Sequence, residues 1–137
     1  MKKSIRFVVI LVLLLARSSS SQEPVNFSKQ IKPLLSNKCY RCHGPDSLAR
    51  QADLRLDRLD EVIRDDDELG VIARGKPELS EMVTRLRSSD PDQRMPPVDS
   101  EISLSEDQIS LLVEWIRQGA NHQTHWSFEP IQRPSPS

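Results

Sequence analysis

The chain has two cysteines, in Cys39-Tyr40-Arg41-Cys42, and His43 follows them at once. Thiols at i and i+3 lie one helical turn apart, which lets both reach the vinyl groups of one porphyrin, while the next imidazole turns to its iron. A chain with this motif is expected to fold around a covalently bound haem c, with Cys39 and Cys42 as attachment points and His43 as proximal iron ligand. Three other readings use the same residues. A disulfide between Cys39 and Cys42 closes so short a loop that it constrains the unfolded chain little. A thioredoxin-like redox pair sits after a strand in a βαβ pattern, and none is visible. A zinc site would add His122 and His125, yet that pair is spaced more tightly than the usual three to five intervening residues.

The start of the chain sets the compartment. Lys2, Lys3 and Arg6 precede an unbroken apolar run over residues 7–16, followed by Arg17 and the serines Ser18 to Ser21. Charged, apolar and small-residue regions in that order predict a secretory signal peptide over residues 1–21 and an exported product, periplasmic or secreted. The apolar run is about half of the ~20 residues needed to cross a bilayer, so no stable membrane insertion is expected after cleavage. Removing Lys2, Lys3, Arg6 and Arg17 from the 19 basic residues leaves 15 against 20 acidic, a formal charge of −5. No Lys/Arg cluster interleaves with aromatics, so the chain offers no footprint for nucleic acid.

Composition then argues for a filled centre that is not all protein. Much of the 36% hydrophobic content lies in the leader, and aromatics are 4% of the chain, against a usual apolar share of ~45–50% with glycine included. A domain of this size with so few large apolar side chains needs another component in its core. A porphyrin fits that deficit.

The apolar periodicity is helical. Val25, Phe27, Ile31, Leu34 and Leu35 form a stripe opened by Asn26 or Ser28 as N-cap and limited or kinked at Pro33, and it runs straight into Cys39. Residues 44–70 read as a long loop with one or two short helical turns, anchored by Leu54, Leu56, Leu59, Val62 and Ile63. Leu79, Met82, Val83 and Leu86 recur at i, i+3, i+4 and i+7 behind Pro77, which predicts a second helix. The last helix has the fullest signature: a Ser105/Gln108 capping box, a Leu104/Ile109 staple, the stripe Ile109, Leu112, Val113, Ile116, and Gly119 as its stop. No repeat and no long strand pattern appears. The fold class is all-α, a helical domain over residues 22–121 wrapped around haem, followed by a proline-rich tail or linker over residues 122–137.

The sixth iron ligand has several candidates. Met95 precedes Pro96 and Pro97, whose missing donors and fixed φ stiffen a short loop between two helices. Met82 lies on an apolar helical stripe, where packing accounts for a methionine. His122 and His125 are rivals that would lower the reduction potential relative to methionine.

These segments together resemble a known family. Phe27 with Ile31-Lys32-Pro33-Leu34-Leu35, Cys39-x-x-Cys42-His43-Gly44-Pro45-Asp46, Leu54-Arg55-Leu56-Asp57, Gly75-Lys76-Pro77-Glu78-Leu79-Ser80, Met95-Pro96-Pro97 and Trp115-Ile116-Arg117-Gln118-Gly119-Ala120 are similar to the planctomycete-type cytochrome c domain. The resemblance implies a cytochrome c-like helical fold, His43 as proximal and Met95 as distal iron ligand. It also implies that such domains stand at the front of larger exported proteins, with a segment like His125-Trp126-Ser127-Phe128 marking the passage onward. Arg64-Asp65-Asp66-Asp67-Glu68 replaces the glycine-rich stretch usual before the Gly75 segment.

The expected function is one-electron transfer by an exported monohaem cytochrome domain working with redox partner proteins. It is not an enzyme in its own right, because no general acid, base or nucleophile is required. A haem-based ligand sensor with a displaceable sixth ligand, and a non-haem interaction module clipped by a disulfide or zinc, are the alternatives.

Overall fold

Asn26 opens the first helical segment in the computed structural model, which describes residues 23–65 and 69–122. The leader, His125 and the tail beyond His122 lie outside the described residues. The Asn26 Oδ1 accepts from the Lys29 amide at 2.9 Å, so of the two candidate caps it is Asn26 that serves. The chain then makes a wide π-helical turn, Phe27–Ile31, before tightening into α1, Lys32–Lys38, with Pro33 in its first turn. Proline lacks the amide that would continue a helical ladder, and the change of helix type falls beside it.

The C-terminal helix α5, Glu106–Arg117, carries every signal its sequence announces. The Gln108 amide donates to the Ser105 Oγ at 3.2 Å and the Ser105 amide to the Gln108 Oε1 at 3.0 Å, a complete capping box. At the other end Gly119, at φ +100°, lets its own amide reach the Ile116 carbonyl and the Ala120 amide reach the Trp115 carbonyl, both at 2.9 Å. That is a Schellman closure, which needs a left-handed residue at the position of Gly119. Ile109, Leu112, Val113, Trp115 and Ile116 are buried, so α5 forms the floor of the core.

Between these ends lie α2, Tyr40–His43, α3, Leu59–Val62, and α4, Glu81–Leu86. The expected second helix is divided. Residues Pro77–Leu79 form a 3₁₀ turn, Ser80 is extended, and only then does α4 begin. The reason is the Ser80 hydroxyl, wholly buried: it accepts from the Ala73 amide at 2.9 Å and lies 3.0 Å from the Lys76 carbonyl, to which it donates. Two short parallel strands, β1, Ile63–Arg64, and β2, Ile72–Ala73, pair Ile63 with Ile72 and Arg64 with Ala73. Strands of two residues leave no period to detect in a sequence, and their isoleucines are buried. Short helical turns and one two-stranded parallel pair thus make up the middle of the chain.

The core gathers Ile31 and Leu35 of the N-terminal segment, Leu59, Val62 and Ile72 of the middle, Val83 and Leu86 of α4, and the inner face of α5. No helix among the described residues is long and apolar enough to cross a membrane. Ser80→Ala is expected to cost about 1–3 kcal/mol, because the buried Ala73 amide loses its acceptor. A denaturation midpoint lowered at unchanged slope would show it; an unchanged midpoint would contradict the assignment.

Candidate functional site

α1 hands the chain to α2 without a gap in hydrogen bonding. The Cys39 amide donates to the Leu35 carbonyl at 2.8 Å, and the Cys39 carbonyl accepts from the amides of Cys42 at 3.1 Å and His43 at 2.8 Å. This single turn places Cys39, Cys42 and His43 on one side. The chain must then leave at once, and Gly44 allows it: a Cβ there would stand 2.2 Å from the Tyr40 carbonyl oxygen.

The loop after Gly44 folds back on the turn. The Gln51 amide donates to the Cys42 carbonyl at 2.7 Å, and the Leu56 amide to the His43 carbonyl at 2.9 Å. The Gln51 carbonyl lies 3.3 Å from His43 Nδ1. A carbonyl can only accept, so the proton belongs on Nδ1 and the lone pair on Nε2, the nitrogen left for a metal. Burial pulls the His43 pKa below the ordinary histidine value; the Gln51 carbonyl opposes this and the Arg85 charge adds to it. The imidazole is thereby kept neutral and able to ligate.

Next in the loop, Arg55 and Asp57 pair with each other through contacts of 2.7 and 2.5 Å. The Arg55 guanidinium holds the Asp57 carboxyl below the usual carboxylate range. Leu54 and Leu56, alternating with this pair, belong to the wall of a cavity of about 420 Å³, a size typical of small-molecule and cofactor sites.

That cavity brings together Cys39, Cys42, His43 and Met95. Cys39, Cys42 and His43 line it from α2 and its approach, and Met95 lines it with Pro96 and Pro97 from the loop before α5. Leu86 of α4, Ile102, Leu104 and Leu112 make much of the remaining wall apolar. The Met95 amide donates to the Arg85 carbonyl at 3.0 Å, which ties the methionine loop to the end of α4.

The rival residues fall differently. Met82 is half-buried and packs against the core, but it also lines the cavity, so packing does not exhaust its role. His122 lies away from the cavity wall: its Nε2 is 2.7 Å from Asp60 Oδ1, and its ring meets Phe27 edge-on with centroids 6.1 Å apart. Both cysteines are free thiols. Burial, then the neighbouring Cys42, pushes the Cys39 thiol up to about 11, opposite to the lowered value of a nucleophilic redox cysteine. Among the described residues no group of three or more His, Cys, Asp or Glu side chains could hold a metal ion. His125 lies outside the described residues.

Sequence reasoning missed the Gln51 carbonyl, a backbone atom that no side-chain pattern announces. It also passed over Lys38 and Arg85, which stand on the cavity wall but occupy positions that read in sequence as ordinary helical charges.

A family model described as Planctomycete cytochrome C matches residues 39–99. Searches of curated proteins and of solved structures return no match. The matched segment starts at Cys39 and includes Cys42, His43 and Met95, together with the Leu54 and Gly75 segments. The resembling residues of the first helical segment and of α5 lie outside it. Over residues 39–99, the chain is similar to the Planctomycete cytochrome C family.

Proposed function

We propose that this chain is an exported monohaem c-type cytochrome domain that passes single electrons between redox partner proteins, in a cytochrome c-like helical fold. The observation that carries the reading is the convergence of Cys39, Cys42, His43 and Met95 on one largely apolar cavity. The donor set suits the group: two free thiols one turn apart for covalent attachment, a neutral imidazole and a thioether. A haem c held there supplies the Fe(III)/Fe(II) couple, and the protein fixes the ligands and the potential.

Each residue has its part in that arrangement. Cys39 and Cys42 anchor the porphyrin. His43 is the proximal ligand, oriented by the Gln51 carbonyl. Met95 is the distal ligand, on a loop held by Arg85 and stiffened by Pro96 and Pro97. Leu54, Leu56, Leu86 and Leu112 line the cavity and would keep water from a haem held there. Export over the leader suits this chemistry, because covalent haem attachment of this kind belongs outside the cytoplasmic membrane.

Absorption spectra test the ligand set. A thioether on low-spin ferric iron gives a weak charge-transfer band at the far-red edge of the visible spectrum. Met95→Ala is expected to abolish the band and lower the reduction potential, since a thioether favours ferrous iron relative to water or imidazole. Met82→Ala should keep both. A band that survives in the Met95 variant and vanishes in the Met82 variant would transfer the ligand to α4. A high-spin wild-type spectrum would favour a sensor with an open sixth position.

A further inference from the structure

The walls of the cavity carry an excess of positive charge that the fold itself does not use. Its titratable or charged lining groups are Lys38 from α1, Cys39, Cys42 and His43 from the attachment turn, and Glu81 and Arg85 from α4. Lys38 is half-buried and has no ion pair among the described residues. Arg85 is held by Glu81 at 2.8 Å, one helical turn back, with the arginine side chain 36% exposed. A cation set against an apolar wall is costly unless an anion meets it. Glu81 can neutralise only one of the two.

Arg85 also sits at a particular place. Its carbonyl accepts from the Met95 amide at 3.0 Å, and it lines the cavity together with His43. The same cavity holds His43 and Met95, so the carboxylate edge of a porphyrin held there would come within reach of a guanidinium on its wall. A porphyrin carries carboxylate side chains on one edge, and guanidinium is the group best shaped to take a carboxylate in two parallel hydrogen bonds.

We propose that Arg85, assisted by Lys38, binds the porphyrin carboxylates and raises the reduction potential of the haem. The inference rests on the haem reading above and adds to it the residues that bind those carboxylates. Glu81 then acts as a competitor for the guanidinium. Positive charge beside the ring favours the reduced iron, so loss of Arg85 lowers the potential and loss of Glu81 raises it.

The test uses the purified, haem-loaded protein and its Arg85→Gln, Glu81→Gln and Lys38→Gln variants, with Arg87→Gln as the control. Arg87 is exposed and outside the cavity wall, yet loses the same charge. Potentials come from redox titration, and redox-difference infrared spectra report the porphyrin carboxylate bands. The expected result is a lowered potential with shifted carboxylate bands in Arg85→Gln, a raised potential in Glu81→Gln, and neither change in Arg87→Gln. If Arg85→Gln does not accumulate, Lys38→Gln must show the lowered potential and the shifted bands. Carboxylate bands unchanged in both the Arg85 and Lys38 variants, in protein that retains its haem, would overturn this inference and leave the haem reading standing. A wild-type chain without covalent haem would overturn both.

Discussion

Replacing Cys39 and Cys42 together by serine is expected to leave a chain that neither retains haem nor melts cooperatively. The cavity they line is bounded by α2, α4, α5 and the methionine loop. Without a porphyrin those apolar walls face solvent or collapse on one another, and the loop of residues 44–58 loses the turn it is pinned to. A ligand that binds only the folded state stabilises it by mass action, and one attached covalently does so at any dilution. Chains this poor in large apolar residues have little else to offset the entropy of ordering. The measurement is far-ultraviolet circular dichroism through a thermal ramp. A full helical signal with a sharp melt in the haem-free variant would show that the protein core suffices alone.

Trp115→Ala is expected to cost about 3–5 kcal/mol in the haem-loaded protein, a large share of a typical total of about 5–15. Trp115 is 1% exposed, its indole N–H donates to the Asn121 carbonyl at 3.0 Å, and its ring packs 5.9 Å from that of Phe27. The substitution opens a void where the N-terminal segment rests on α5 and leaves the Asn121 carbonyl without its donor. Trp115 does not line the cavity, so the far-red band should persist while the denaturation midpoint falls. A midpoint within a fraction of a kcal/mol of wild type would mean that the N-terminal segment does not depend on this contact.

The parts of the fold that were legible in the sequence are those whose signals are local. The capping box of Ser105 and Gln108 and the closure at Gly119 fix both ends of α5 within a few residues, and each needs a particular residue type at one position. Asn26 and Pro33 mark the first segment for the same reason, although a π-helical turn in place of an ordinary one leaves no trace in apolar spacing. What escaped detection depends on contacts between distant residues. The Ile63–Ile72 pairing spans too few residues to show a period, and the buried Ser80 hydroxyl breaks up an otherwise regular helical stripe from Leu79 to Leu86, because tertiary hydrogen bonds outweigh periodicity over so short a span.

The site divides along the same line. Cys39, Cys42 and His43 form a contiguous motif whose spacing points to haem attachment, and all three line one cavity. Met95 was legible through its prolines, and it lines that cavity too. Met82 was read as packing because it lies on an apolar stripe, yet such a stripe also borders the cavity once α4 is in place. His122 is a rival ligand to Met95 in the sequence. Its pairing with Asp60, far along the chain, could not be read from spacing.

Covalent attachment is the central claim, and denatured protein tests it most directly. The chain is purified after export, extracted with acidified organic solvent, run on a denaturing gel and stained for haem peroxidase activity, and its peptides are weighed by mass spectrometry. The account predicts that the stain stays with the chain and that the peptide spanning Cys39 to His43 carries the mass of one haem. Colour lost wholly to the solvent, with that peptide found unmodified, would contradict it.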